Sequence, residues 1–381
     1  MADTNTTALA GLVKVAYDRY VEFALRSQPL VRSVADKRPA QQAMPGSSVV
    51  FSLYNDLAAA TSALSEATDP DAVALSDVST TSVTLAEYGN ASLVTRKLQL
   101  FSLSDVDPAV ADIIAYNMAD SLDKLAMETL RQGTNVIYGG TVTSTATVSS
   151  ADTLTSAKIR RAVAKLRSNK AVPRQGSLYW CGIHPEVSHD LRAETGSVGW
   201  RDIHAQTDSA QGNLWAGTIG TYEGAFFVET PRMYEKAEGA NQSTFTTTTA
   251  ATGASGTTTI TVASTSGIDV GDGVAISATT GASTLVSAIN GAVLTLSVAT
   301  TASVTSGATV TVTPKTNVYR TILCGKQALA EAVAQEPGVV IGPVTDKLMR
   351  FRPIGWYGVL GFARYRDDAL FRIETSSSIS D

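Results

Sequence analysis

Charge is scarce in this chain. Only 17% of its 381 residues are Asp, Glu, Lys or Arg, and the net charge is -5. A dedicated nucleic-acid binder normally carries a basic face, so this balance argues against one. No apolar run reaches the 18 residues that a membrane-crossing helix needs, so no membrane role is expected. The N-terminus lacks the basic, apolar and small-residue order of a secretory signal. Cysteine is limited to Cys181 and Cys324, far apart in sequence. Free thiols in a cytoplasmic setting are the expectation, not a disulfide.

The residues that carry chemistry are equally sparse. His184-Pro185-Glu186-Val187-Ser188-His189 has a superficial likeness to the zinc-protease helix. That motif needs its glutamate directly after the first histidine and its ligands at i and i+4; here the histidines are five apart. His204 stands alone. There is no G-x-S-x-G nucleophile elbow and no glycine-rich phosphate loop after a strand. Gly271-Asp272-Gly273 reads as a turn. Asp69-Pro70-Asp71 is a turn whose carboxylates are too common a pattern to assign to a cation. Cys181 has no base or cationic setting that would make it a nucleophile. No residue is assigned to catalysis, to a cofactor or to a metal, and the chain is expected not to be an enzyme.

What is present is architecture. Asp107-Pro108 opens a helix and Gly133 closes it. The uninterrupted stretch of some 25 residues would run about 37 Å. Ala111, Ile114, Ala115, Met118, Leu122, Leu125 and Ala126 share one side, with Asp112, Asp120, Asp123, Lys124 and Arg131 opposite. Before it, residues 1–45 read as an arm: a helical pattern over Ala8–Arg26, then breaks at Pro29, Pro39 and Pro45-Gly46. Arg32, Lys37 and Arg38 make this arm more cationic than its surroundings, as either a solvated leader or an arm facing an anionic interior. Ser47–Tyr54 is a short strand. A loose polar excursion follows, and Thr81–Tyr88 and Ala91–Leu100 then read as extended, with Gly89-Asn90 as a turn or bulge. Such a long hairpin cannot bury itself and needs a partner surface.

After Gly133 a second helix is predicted from about Leu154 to Asn169. Ile159, Ala162, Val163 and Leu166 face inward, with Lys158, Arg160, Arg161, Lys165 and Arg167 on its basic side. Ser177–Ile183 has the pattern of a buried strand, and paired strands follow over Gly217–Val228. From Ala237 to Pro314 there is neither Lys nor Arg and one aromatic, Phe245. Short alternating runs such as Thr257–Val262, Val293–Val298 and Thr309–Val312, with turns at Gly271-Asp272-Gly273 and Asn290-Gly291 (the second favouring type I′), read as a small all-β sandwich. The earlier composition resumes at Lys315, so this module reads as an insertion. Val318–Gly325 is a strand, Lys326–Glu331 a short turn or helix, and Arg350–Tyr357, Gly358–Tyr365 and Ala369–Glu374 are closing strands.

The order of these parts resembles the major capsid proteins of tailed bacteriophages with the HK97-type fold, and looks most like the N4-type major capsid family. The likeness is carried by Thr84–Asn90 running into Val94–Leu98, by the helix after Asp107, by Ile183–Glu186 with Asp190-Leu191-Arg192, and by Val318-Tyr319 with Leu323–Ala328. It covers residues 1–235 and 315–381. It implies an α+β fold with an N-terminal arm (1–45), an extended β-hairpin loop (46–103), a peripheral domain with a long spine helix (104–169), an axial domain in two parts (170–236 and 315–350) and C-terminal closing strands (351–381). Residues 237–314 depart from that pattern as an added β domain, of the kind the resemblance places on the outer surface.

The function so implied is self-assembly into an icosahedral shell of pentamers and hexamers around double-stranded DNA, in a virion assembled in the host bacterial cytoplasm. Implied partners are copies of the chain, separate scaffolding, portal, and decoration or minor capsid proteins, and packaged DNA touched without sequence reading by the basic positions of the arm and second helix. Three other readings compete. An encapsulin-like shell of the same fold would have no reason for the β insertion. A secreted β-rich adhesin or tail protein conflicts with the long helix and absent signal. A hydrolase would have to use His184 or His189.

Overall fold

The computed structural model describes residues 29–39, 48–53, 79–101, 106–194, 218–233, 235–276, 284–343 and 350–379, with a few single positions between. The first elements are β1 (Asp36–Pro39), β2 (Ser48–Leu53), β3 (Ser79–Thr84), β4 (Ala86–Thr95), α1 (Arg96–Phe101), α2 (Val106–Leu130), β5 (Val136–Tyr138) and α3 (Ser156–Ser168). They continue as β6 (Tyr179–Ile183), α4 (Pro185–Ala193), β7 (Thr218–Tyr222), β8 (Ala225–Glu229), β9 (Glu235–Asn241), β10 (Phe245–Thr248), β11 (Thr259–Thr261) and β12 (Gly273–Ile276). The last are β13 (Val286–Asn290), β14 (Val293–Leu296), β15 (Thr309–Thr313), β16 (Lys315–Cys324), β17 (Leu329–Ile341), β18 (Phe351–Arg364) and β19 (Leu370–Thr375). Among the described residues, one compact unit comprises Ala86–Ser121 and Ala334–Leu360, and the rest form a second.

The larger unit is built on a sheet of order β5-β19-β16-β6-β8-β7, with β9 also pairing β16. Strand alternation sends side chains to two cores. Tyr179, Cys181 and Ile183 meet α3 and α4 through Ile159, Leu166, Val187 and Leu191. Trp180, from the same strand, joins Ala126, Met127 and Leu130 of α2 together with Val31 and Val34 on the other face. The expected hairpin strands β2 and β3 pair in register from Ser48↔Thr84 to Leu53↔Ser79. Phe51 and Val83 pack with Ala330, Ala332 and Tyr365. Gly361 is a glycine because a Cβ there would lie 2.1 Å from the Thr84 carbonyl.

Two three-stranded sheets, β10-β15-β12 and β11-β14-β13, make up the Thr-rich stretch. Their core is aliphatic, with Ile260, Val274, Leu294, Val310 and Val312 at its centre. The strands bounding this module, β9 and β16, pair with each other from Tyr319↔Glu235 to Lys315↔Asn241. The chain therefore leaves and re-enters the main sheet at neighbouring positions.

Several expectations are corrected. Asp123 is not on the solvent side of α2: it is 1% exposed and accepts the Arg32 N–H at 2.8 Å. Arg32 is not a free basic residue, because its guanidinium bonds the fully buried Glu331. Gly89-Asn90 does not turn the chain. β4 runs straight through it, and Gly89 is required because a Cβ would come 2.7 Å from the Trp356 carbonyl. The extended run ends at Thr95, whose Oγ1 accepts the Leu98 N–H and starts α1. Of the turn or helix expected over Lys326–Glu331, Lys326–Ala328 is a turn with Gln327 at φ 63°, and β17 begins at Leu329, where pairing with β1 draws Ala330–Val333 into a sheet. In the β13–β14 hairpin the two-residue loop is Gly291-Ala292. Of the two only Gly291 has positive φ, the pattern of a II′ rather than a I′ turn.

Candidate assembly surface

In the smaller unit β4 lies antiparallel to β18, from Phe351↔Thr95 to Leu360↔Ala86, and β17 flanks β18 on the other side. One sheet face is covered: Val94, Ile354 and Trp356 pack on Ile114 of α2, with Tyr88, Val110 and Met118 around them. Trp356 Nε1 donates to Asn117 Oδ1 at 3.0 Å and fixes the helix to the sheet. By register the opposite face presents Leu93, Phe351, Pro353, Tyr357 and Val359. Leu93 is 62% exposed. Among the described residues, nothing pairs with β17 along its outer edge beyond Val333, and Val339, Val340 and Ile341 are all exposed there. Leu98, Leu100 and Phe101 of α1 are exposed too, Phe101 at 77%. An open strand edge beside uncovered apolar side chains is a template for another chain. The sequence signal for this edge was the Gly338-Val339-Val340-Ile341 run, which composition alone does not separate from core.

The histidine segment forms a polar centre in the larger unit. His184 caps α4, its Nδ1 accepting the Glu186 N–H at 3.4 Å, and Pro185 takes the first helical position. That bond leaves the proton on Nε2, 3.7 Å from Glu235. Tyr319 donates its hydroxyl to Glu186 and lies 2.9 Å from Glu235 Oε1. Burial, and then the two glutamates, push the Tyr319 phenol far above its ordinary range. Burial holds His184 below the usual imidazole value, against the pull of Glu235, Glu186 and Glu229. The Ser188 hydroxyl donates to the Pro185 carbonyl or to Glu229 and makes no bond to the His184 ring among the described residues, while its backbone N–H donates to the His184 carbonyl at 2.9 Å. The centre ties α4 to β8, β9 and β16, and it holds no nucleophile–base pair.

His189 is exposed beside Asp190. Among the described residues no group of three or more His, Cys, Asp or Glu is placed to hold a metal, and no helix is long and apolar enough to cross a membrane. Asp69-Pro70-Asp71 and His204 lie outside the described residues. Cys181 and Cys324 are free and buried on adjacent strands; burial raises both thiols, Cys324 to about 12. Asp272 is a buried turn carboxylate accepting the Asp269 and Lys315 N–H groups, and burial raises its pKa.

The family comparison bears on what such an exposed edge serves. The model of the phage capsid protein family matches residues 126–379, about two thirds of the chain. The chain belongs to the phage capsid protein family. It is the major capsid protein of a phage shell, a structural component that self-assembles in the virion capsid. Solved capsids share its fold. The capsid of Ralstonia phage GP4 is similar at 12% identity with a TM-score of 0.64 over all of both chains. That of cyanophage Pam1 is similar at 13% and 0.63, also over all of both chains. That of Helicobacter pylori bacteriophage KHP30 is similar at 14% and 0.60 over 99% of each. Among curated proteins none matches this capsid protein by sequence.

Proposed function

We propose that this capsid protein has the HK97-type subunit plan of the N4-type family. Residues 1–45 act as an N-terminal arm, 46–103 as an extended loop laid on a neighbouring copy, and 104–169 as the peripheral domain. Residues 170–236 and 315–350 form the axial domain, 237–314 an added outer β domain, and 351–381 the closing strands. Pentamers and hexamers of the chain close an icosahedral shell around the double-stranded DNA of a tailed phage. Assembly takes place in the host cytoplasm with separate scaffolding, portal and decoration proteins.

The observation that carries this reading is the uncovered apolar surface of the smaller unit: the open β17 edge at Val339–Ile341 and the Leu93 face of the sheet beside it. Backbone groups on that edge are available to pair with a strand of another copy. Many modest contacts of this kind, repeated by symmetry, hold a shell together. Electron microscopy of the purified chain tests the reading, and uniform closed shells are expected. Val340→Lys, which blocks the edge with a charge, is expected to leave folded but unassembled subunits. A wild-type chain that stays monomeric under all assembly conditions, or a Val340→Lys chain that closes as readily as wild type, refutes it.

A further inference from the structure

Strands β6 and β8 set Trp180 beside Phe226 in register, on the face of the sheet that also carries Val31 and Val34. A cavity of about 310 Å³ lies against the two rings and is lined also by Arg174, Asp36 and Lys326. A second cavity, of about 260 Å³, shares Asp36 and Lys326 with the first and is walled by Phe51, Ala330 and Tyr365. Every one of these residues belongs to the larger unit. The first volume is at the lower end of the range for ligand pockets, about 300–1,000 Å³. It suits a single large residue rather than a folded segment, and the second cavity suits another.

The charges shared by the two cavities do not cancel. Asp36 is already engaged: its Oδ2 accepts the Gln327 N–H at 2.6 Å, and its Oδ1 lies 3.6 Å from Arg174 Nη1. Arg174 in turn donates through Nη2 to the Ser33 carbonyl at 3.0 Å. Lys326 is left over. Its side chain is exposed, and no hydrogen bond or ion pair engages its ammonium among the described residues. A surplus surface lysine is ordinarily just solvated, but this one is held at a fixed point. Its own N–H donates to the Val172 carbonyl at 2.8 Å, and the adjoining Gln327 sits at φ 63°, a left-handed conformation that few residues other than glycine adopt. Backbone strain of this kind gathers at ligand clamps. Two aromatic walls and one uncompensated cation fit a ligand with an apolar body and a single negative charge. Within the volume of one residue, both come together on the last residue of a chain, where the α-carboxylate and an apolar side chain share one carbon.

We propose that the paired cavities receive the C-terminal dipeptide of a partner polypeptide that ends in a large apolar residue. The terminal carboxylate accepts a charge-assisted hydrogen bond from Lys326 Nζ. The last side chain lies against Trp180 and Phe226, and the apolar side chain before it lies against Phe51 and Tyr365. The open edge of β17 takes no part, so this site can fail while the capsid reading stands, and the reverse. The test is a ligand-detected NMR titration of the purified full-length chain with acetyl-Leu-Phe as the free acid. A dissociation constant on the order of 0.1 mM is expected. The C-terminal amide of the same dipeptide is expected to bind about tenfold more weakly, because it lacks the charge that Lys326 meets. Acetyl-Phe as the free acid is expected to bind about tenfold more weakly than the dipeptide acid, because it leaves the second cavity empty. Lys326→Gln, which keeps the backbone bond to Val172, is expected to weaken binding of the acid about tenfold and leave that of the amide unchanged. If that variant does not fold, the acid and amide compared on the wild-type chain decide alone. Equal binding of acid and amide, equal binding of acetyl-Phe and acetyl-Leu-Phe, or no binding of either acid overturns the proposal.

Discussion

Within the larger unit, the segment Val31–Pro39 makes a charge pair, Arg32 with Glu331, whose two ends are unequally buried, and that asymmetry makes a sharp prediction. Arg32 Nε and Nη2 bond Glu331 Oε1 at 3.0 and 2.5 Å, while Glu331 Oε2 has no hydrogen-bond partner among the described residues. The glutamate side chain is 0% exposed and the arginine 23%. Arg32→Ala strands a carboxylate with neither oxygen bonded, for which breaking a buried pair costs about 3–5 kcal/mol. Glu331→Ala leaves a guanidinium that can reach water, so its cost should be nearer about 1–3 kcal/mol. The double variant should lie close to the glutamate single, because removing Glu331 rescues most of what Arg32→Ala loses. Urea unfolding of the unassembled chain, followed by tryptophan fluorescence, measures all three. A Glu331→Ala chain weaker than Arg32→Ala, or a double variant equal to the sum of the singles, would refute the burial argument.

The remaining predictions concern single sites. His184 is held below its solution value of 6.5 by burial, so the unfolded chain takes up a proton before the folded one. Stability is therefore full above about pH 6.5 and declines as pH falls through the lowered value. His184→Asn, which keeps a capping side chain, should flatten the fall in urea midpoint between pH 7.5 and 5.5; an unchanged slope would assign the effect elsewhere. Gln327→Gly should stabilise by about 0.5–1 kcal/mol, since Gln327 holds φ 63° without a side-chain bond among the described residues; a lower melting temperature would contradict this. Leu294→Ala, at the fully buried centre of the Thr-rich module, should cost about 2–5 kcal/mol and open residues 242–313 to protease while shells still close.

Much of the fold was legible because its signals are local. Helix α2 was delimited by its start and stop residues and by the absence of any glycine or proline between them. The Thr-rich sandwich was legible from valines and leucines alternating with threonine, and its core follows that alternation at Val310 and Val312. What stayed hidden depends on partners distant in sequence. Asp123 read as a solvent-facing helix residue because the N–H that makes its burial tolerable belongs to Arg32, 91 positions away. Lys326–Glu331 read as a short turn or helix, and its strand half from Leu329 was missed because nothing nearby announces that β1 will pair with it. The assembly surface was only half visible. The hairpin was expected to need another chain's surface, whereas its strands bury Phe51 and Val83 against Ala330, Ala332 and Tyr365, and the open edge at Val339–Ile341 required the strand order. The basic side of α3 was plain from spacing.

The path of β16 has a mechanical consequence. This strand begins at the root of the Thr-rich module and continues without a break between β6 and β19 to Cys324. A tug on the module along that axis loads the flanking backbone bonds in shear, all at once, rather than peeling them one by one. The tether should therefore yield last: the little sandwich would unravel while its anchorage in the main sheet still held.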